Sequence, residues 1–204
     1  MRAFHVLILS VTVSAVCRAE DHAAEIYHQS CTACHGEKGA GNPELKSPPI
    51  AGLAEWYVTL QLKRFHSGLR GAHPEDIPGQ QMAAIAKTLK PEEIPQLALH
   101  ISKMVAIAPE VFADANAKRG KVLYLEHCAA CHRFNASGEI AFRSPPLSGF
   151  PAWYLRDQFG KFKSGQRGAD AKDEDGTKMK TIAAGMTDSD LSDIIAHITG
   201  LATE

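Results

Sequence analysis

Cys31-Thr32-Ala33-Cys34-His35 recurs as Cys128-Ala129-Ala130-Cys131-His132, 97 residues further along a chain of 204. Two cysteines three apart lie on neighbouring turns of one helix, so both sulfurs can reach a single planar group, and the next residue projects an imidazole beside them. C-x-x-C-H is the attachment signature of c-type haem, in which the thiols bond the porphyrin's two vinyl positions and the histidine ligates iron. A four-ligand zinc site, a redox-active dithiol in a βαβ setting and a plain disulfide in an exported chain share the C-x-x-C part. None of them explains a histidine directly after both pairs. Cys31, Cys34, Cys128 and Cys131 are therefore read as covalent attachment points for two haem c groups, and His35 and His132 as iron ligands.

The same 97-residue shift superimposes much of the chain without a gap, giving 26 identities in the 79 positions of 25–103 against 122–200. Pro48-Pro49 falls on Pro145-Pro146, Trp56-Tyr57 on Trp153-Tyr154, Gln61 on Gln158, and Arg70-Gly71 on Arg167-Gly168. Such self-similarity is duplication, so each half is one structural unit. One methionine pair aligns: Met82 follows His35 by 47 residues, and Met179 follows His132 by 47. Met186 aligns with Leu89 and Met104 with Leu201, which makes those two core fillers. Met82 and Met179, set among polar, glycine-containing segments (Gly79-Gln80-Gln81, Gly176-Thr177-Lys178) read as loops, are the candidate second iron ligands, since His/Met is a standard set in cytochromes c.

The fold class expected is all-α. Val58, Leu62 and Phe65 recur as Leu155, Phe159 and Phe162, one helical face, while Ile94, Leu97, Ala98 and Ile101 recur as Leu191, Ile194, Ile195 and Ile198, the stripe of a closing helix. Pro91 suits a first helical position, and Thr187 with Asp190 resembles a capping box. No alternating strand pattern is present. The predicted division is a signal peptide over 1–19, a first unit over 20–104, a linker over 105–117 containing Pro109, and a second unit over 118–204. Units of about 85 residues bury little apolar surface, so a large apolar cofactor at the centre makes physical sense.

The first residues run Arg2, an apolar stretch from Ala3 to Val16, then Cys17-Arg18-Ala19 before Glu20-Asp21, the order of a secretory signal cleaved after Ala19. An uncleaved anchor would have to span with a run that is short and broken by His5, Ser10, Thr12 and Ser14; a lipid-attachment site at Cys17 would have to tolerate the bulky Val16. Removing this segment leaves four cysteines from five, and 20 Lys+Arg (22 less Arg2 and Arg18) against 23 Asp+Glu. That mildly acidic balance offers no nucleic-acid footprint. The acidic stretch from Asp170 to Asp175 is read as a solvated loop.

Taken together, tandem C-x-x-C-H units, each followed by P-P-[IL]-x-G, an aromatic pair, Q-x-x-x-F-x-S-G-x-R-G, a methionine and an amphipathic helix, resemble the diheme cytochromes of the cytochrome c4 type. The resemblance covers nearly all of the chain after residue 19. It implies two class I cytochrome c domains facing each other, each wrapped around a covalent haem, and a periplasmic role relaying single electrons from a respiratory donor to a terminal oxidase or reductase. It also implies that the carbonyls of Pro48 and Pro145 accept the Nδ1 proton of the axial histidines, and that Arg70 and Arg167, with Tyr57, Tyr154, Gln61 and Gln158, bind haem propionates. Where that family's closing helix often carries an aromatic, this chain has His100 and His197, read as packing residues, as are Trp56 and Trp153. The expected partners are redox proteins, including a membrane-bound oxidase or reductase, with no nucleic acid and no small-molecule substrate. The rival readings are a cytochrome subunit of an oxidase or dehydrogenase complex, a diheme peroxidase with one open iron, and a gas sensor.

Overall fold

The computed structural model describes residues 20–201, so the expected signal segment lies outside the described residues. Helices form where the apolar stripes and polar caps fall. In the first half α1 covers 20–30 and leads into the single-turn α2 (Thr32–His35). Three longer helices follow: α3 (Glu55–Ser67), α4 (Ile77–Thr88) and α5 (Glu93–Ser102). The second half repeats the order as α6 (Ala117–His127), α7 (Ala129–His132), α8 (Ala152–Ser164), α9 (Glu174–Ala184) and α10 (Asp188–Gly200), with one 3-10 turn at Ile140–Phe142. Among the described residues, strand-like pairing is confined to two isolated bridges, Asn42 with Ser47 and Glu139 with Ser144, one per half at equivalent positions. The fold is all-α, and no helix among the described residues is long and apolar enough to cross a membrane.

The stripes read from the sequence face inward. Val58, Leu62 and Phe65 of α3 are buried, and Ile94, Leu97, Ala98 and Ile101 of α5 close over Ile26 and Tyr27 of α1. Ile194 and Ile198 of α10 pack in the same way on Tyr124 of α6. His100 and His197 stack against Tyr27 and Tyr124 with ring centroids 5.5 Å apart in both halves, so these histidines do pack on the opening helix. The two opening-helix tyrosines donate to backbone carbonyls just past the haem motif, Tyr27 to Gly36 and Tyr124 to Arg133, each at 2.7 Å.

Three local expectations change. Pro91 lies in a turn, and α5 begins at Glu93, whose carboxylate accepts the Lys90 N–H at 2.8 Å; the Thr187–Asp190 capping box forms as read. The segments around Met82 and Met179 are the opening turns of α4 and α9, not loops. Asp76 and Asp173 accept the Gly79 and Gly176 N–H at 3.0 and 3.1 Å, which starts each helix despite its glycine; Pro78 costs nothing in a first turn, where its missing N–H would have no partner. The Asp170-to-Asp175 stretch is not a solvated loop, because Asp173 is buried as a cap and Asp175 pairs with Arg64 at 2.6 Å.

The stretch between α5 and α6 is non-helical and tied to the second half: Phe112 N–H donates to Thr199 Oγ1 (3.0 Å) and Asn116 N–H to Asp193 Oδ1 (2.8 Å). Asn116 also caps α6. Here α6 and α10 approach so closely that a Cβ on Gly120 would sit 1.8 Å from the Asp193 carbonyl oxygen, whereas the first half has Ala23, itself buried, at the equivalent position. Gly120→Ala gains up to about 1 kcal/mol of helix propensity and loses about 1–3 kcal/mol to overpacking against backbone that cannot turn aside. Thermal unfolding of the holo-protein is expected to show a midpoint lowered by a few degrees in Gly120→Ala, while an unchanged or raised midpoint would mean that the two helices can separate freely.

Candidate haem sites

Each haem motif is presented by the junction of two helices. Cys31 ends α1 and His35 ends α2; Cys128 and His132 do the same for α6 and α7. After the histidine the chain must turn sharply to come back over the ring. Gly41 and Gly138 make this possible: with φ of 79° in both, their N–H groups donate back to the carbonyls of His35 (2.9 Å) and His132 (3.1 Å). A Cβ there would lie 2.5 Å from the nitrogen of Pro49 or Pro146, so the returning proline pair lies directly against the turn. The carbonyl of Pro48 thereby comes within 2.9 Å of His35 Nδ1, and that of Pro145 within 2.9 Å of His132 Nδ1.

That contact has a chemical consequence. A carbonyl only accepts, so Nδ1 carries the proton and Nε2 keeps its lone pair. Burial pushes both imidazoles below the ordinary histidine pKa, an effect the carbonyl bond opposes, so the neutral form persists at neutral pH. A neutral ring, oriented by its other nitrogen, is what a metal requires of histidine. Of the thiols, Cys34 and Cys131 are exposed and Cys31 is buried, and all four are unpaired. Burial, then the neighbouring cysteine, raises Cys31 and Cys128 to about 11, which keeps them as thiols. Among the described residues no three His, Cys, Asp or Glu side chains gather as they would around zinc.

Met82, half-buried on α4, packs against the cluster that contains Cys31 and against Phe65 and Ala83. Met179 is half-buried at the equivalent point of α9. Met186 is buried in the second-half core and Met104 packs on the first.

The polar candidates meet between the halves. Arg70 donates to Gln61 Oε1 (2.7 Å) of its own half and to Tyr154 Oη (3.1 Å) and Gln158 Oε1 (2.8 Å) of the other; Arg167 donates to Gln158 Oε1 at 2.6 Å. Each guanidinium lies over a phenylalanine of its own half, Arg70 at 4.4 Å from the Phe65 centroid and Arg167 at 4.3 Å from that of Phe162. Tyr57, Phe150 and Tyr154 stack beside them, with Trp56 and Trp153 packed behind, and burial followed by the Tyr154 oxygen raises the Tyr57 phenol to about 12. Arg167 is held down to about 10, first by burial and then by the like charge of Arg70. Asp76 and Asp173, the carboxylates whose charge reaches these arginines, are already paired with Lys161 and Arg64. Two half-buried guanidiniums whose hydrogen-bond acceptors are neutral oxygens form a site short of anions, and the carboxylate groups of a haem are anions that would suit it.

Reading the sequence alone passed over Arg64, Lys161, Asp76, Asp173, Gly41 and Gly138. The repeat held the signal for four of them, since Asp76 aligns with Asp173 and Gly41 with Gly138.

Two helical units, each offering paired thiols, a neutral oriented imidazole and shared cationic groups, are built to hold a pair of iron porphyrins. The family model described as Cytochrome c matches residues 21–104 and again 117–202, and the chain belongs to that family as two domains in tandem. It is 33% identical over 171 residues to the thiosulfate dehydrogenase electron acceptor of Thiomonas intermedia (strain K12), an alignment spanning 78% of this chain and 73% of that one. It is 26% identical over 215 residues to cytochrome c4 of Azotobacter vinelandii, spanning 98% and 99%. Among solved structures, reduced recombinant cytochrome c4 from Pseudomonas stutzeri superposes with a TM-score of 0.67 at 26% identity, covering 88% of this chain and 97% of that one. The protein is thus a diheme electron-transfer cytochrome homologous to cytochrome c4, with two covalently bound haem c groups.

The lowered histidines make stability depend on pH. Between about pH 7 and 5.5, above the carboxylate range, the unfolded chain takes up protons that the folded chain refuses. Stability is therefore full above the ordinary histidine pKa and declines as pH falls below it. Urea unfolding of the haem-free chain, in which both imidazoles are free to titrate, followed by far-UV circular dichroism, is expected to show midpoints that fall steadily across that window; a flat profile would contradict neutral buried imidazoles.

Proposed function

We propose that the protein is an exported, soluble one-electron relay of the periplasm, carrying electrons from a respiratory donor to a terminal oxidase or reductase through two haems with His/Met ligation. In this reading residues 1–19 are removed, and domains over 20–104 and 118–204 are joined by 105–117. Cys31 with Cys34, and Cys128 with Cys131, hold the groups covalently, while His35 with Met82, and His132 with Met179, fill the axial positions. The observation that carries the reading is the likeness of the two sites. Both have the same Nδ1-to-proline contact at 2.9 Å and a methionine 47 residues past the histidine, in the opening turns of an aspartate-capped helix. A peroxidase needs one half to leave an axial position open, and nothing in this pairing distinguishes a half that would.

Bound haem supplies iron that changes oxidation state by one electron. The chain does the rest. Pro48 and Pro145 fix the imidazole planes and raise the donor strength of Nε2 by accepting from Nδ1. Methionine thioethers, weaker donors than a second histidine, favour the reduced state and so a higher potential. Arg70 and Arg167, with Gln61, Gln158, Tyr57 and Tyr154, receive the propionates and keep water from the seam between the halves. The name of the Thiomonas intermedia relative, an acceptor of electrons from thiosulfate dehydrogenase, supports a dehydrogenase on the donor side and redox proteins as partners.

A redox titration monitored at the methionine-to-iron absorption band tests this reading. The band is expected to lose about half its amplitude in Met82→Ala and in Met179→Ala, one haem each. If neither substitution alters the band, the ligand assignment is wrong. Arg167→Gln removes a half-buried positive charge from the seam, which disfavours the more negative, reduced state. The same titration is expected to show a lowered potential, and an unmoved one would place the propionates elsewhere.

A further inference from the structure

The 97-residue repeat pairs Arg64 of α3 with Lys161 of α8, and Asp76, which caps α4, with Asp173, which caps α9. Lys161 also pairs with Asp157 of its own helix at 3.0 Å, but neither cap is gripped by the cation of its own half. Lys161 Nζ lies 2.9 Å from Asp76 Oδ1, and Arg64 Nη2 lies 3.2 Å from Asp173 Oδ1 and 2.6 Å from Asp175 Oδ2. The contacts are crossed: each half supplies the cation that grips the helix cap of the other. All of these side chains are largely buried, with Lys161 and Asp76 retaining 10% and 2% of their exposure, and Arg64 and Asp173 13% and 5%. A cap that also receives a buried cation is held in place and in orientation, because the buried carboxylate would otherwise lack a charge partner for its lost hydration.

We propose that Arg64 and Lys161 are positioning residues that act in trans, each fixing the methionine-bearing helix of the opposite half, so that the two haem sites are mechanically coupled. Lys161 holds the start of α4, and six residues past Asp76 is Met82; Arg64 holds the start of α9, and six residues past Asp173 is Met179. Gly79 and Gly176 let the caps close this tightly, since a Cβ on either would lie 2.1 Å from the capping carboxylate. A loosened clamp therefore frees the far methionine, not the near one. The ligand part of this inference rests on the methionine assignment proposed above; the clamp on the helix does not.

The test uses the holo-protein with Lys161→Met and Arg64→Met, which keep the apolar stems and remove the charge. Amide hydrogen exchange is expected to speed up by about tenfold at Gly79 and Gln80 in Lys161→Met and at Gly176 and Thr177 in Arg64→Met, the order of a weakened cap, with the other half's helix protected as before. In the same variants the pH at which the methionine-to-iron band is lost is expected to fall for the opposite half's haem alone, identified by combining each with Met82→Ala or Met179→Ala. Lys161→Arg is expected to restore both readouts. Loss of protection in the variant's own half, equal loss in both halves, or none in either would overturn the clamp. A crossed exchange pattern with no shift in the band would leave the clamp standing and overturn the coupling to the haem. Failure of Met82→Ala and Met179→Ala themselves to alter the band would instead count against the ligand assignment.

Discussion

The contact from a buried imidazole Nδ1 to a proline carbonyl organises each half of this protein. It requires the chain to turn directly after the haem motif, run out, and return within 13 residues with a carbonyl aimed at the ring. Glycine at 41 and 138 serves that turn; the bridges Asn42–Ser47 and Glu139–Ser144 hold the two arms of the loop together; Tyr27 and Tyr124 pin its near end to the opening helix. The result is a neutral ring with one nitrogen fixed and the other free, in a site where burial resists protonation. A helix-and-loop unit of this size has a thin core, so the haem fills space that side chains alone would leave.

A second constraint explains why the two units share an interface. Arg70 and Arg167 are half-buried there with neutral acceptors, and desolvation, then the like charge of Arg70, holds Arg167 down to about 10. An isolated half would expose one guanidinium to water at no electrostatic cost. Bringing both together becomes favourable once anions arrive, as the propionates of two haems bound in the proposed way would. The aromatic stack of Tyr57, Phe150 and Tyr154 excludes water from that region, and the outlying carboxylates are kept away from the arginines by being engaged with Arg64 and Lys161. Neutralising the arginines with Asp or Glu side chains would have required the same burial without any gain in redox function.

The haem motifs, the inward helical faces and the duplication were legible in the sequence because each is a local pattern repeated at one offset. The helices carrying Met82 and Met179 were not, since Gly79, Pro78 and polar neighbours lower helix propensity, and the cap that compensates is a single aspartate whose role shows only in three dimensions. Pro91 misled in the opposite direction: it fits a first helical turn, yet the Glu93 carboxylate captures the Lys90 N–H and sets the helix start two residues later. The acidic stretch at 170–175 read as solvated because charge runs usually are, and its partner Arg64 lies more than a hundred residues upstream. Contacts between halves leave no periodicity to read. Their trace is that identical residues such as Asp76 and Asp173 occur where a free loop would tolerate anything.

Position by position, the two halves agree inside and differ outside. The shared residues include the buried aspartate caps, the interface tyrosines, glutamines and arginines, and the glycines of the haem loop. Around the haem motif the outer surfaces diverge. Phe134 is 74% exposed where the first half has Glu37, Ile140 is 60% exposed where it has Pro43, and Val122 is 62% exposed where it has Glu25. A duplicated carrier with two identical faces would make electron entry and exit equivalent. Here the same internal frame sits behind two surfaces of different chemistry, with exposed Phe134, Ile140 and Val122 in one half where the other has Glu37, Pro43 and Glu25, so the two halves are alike in how they hold a haem and unlike in what they present to solvent.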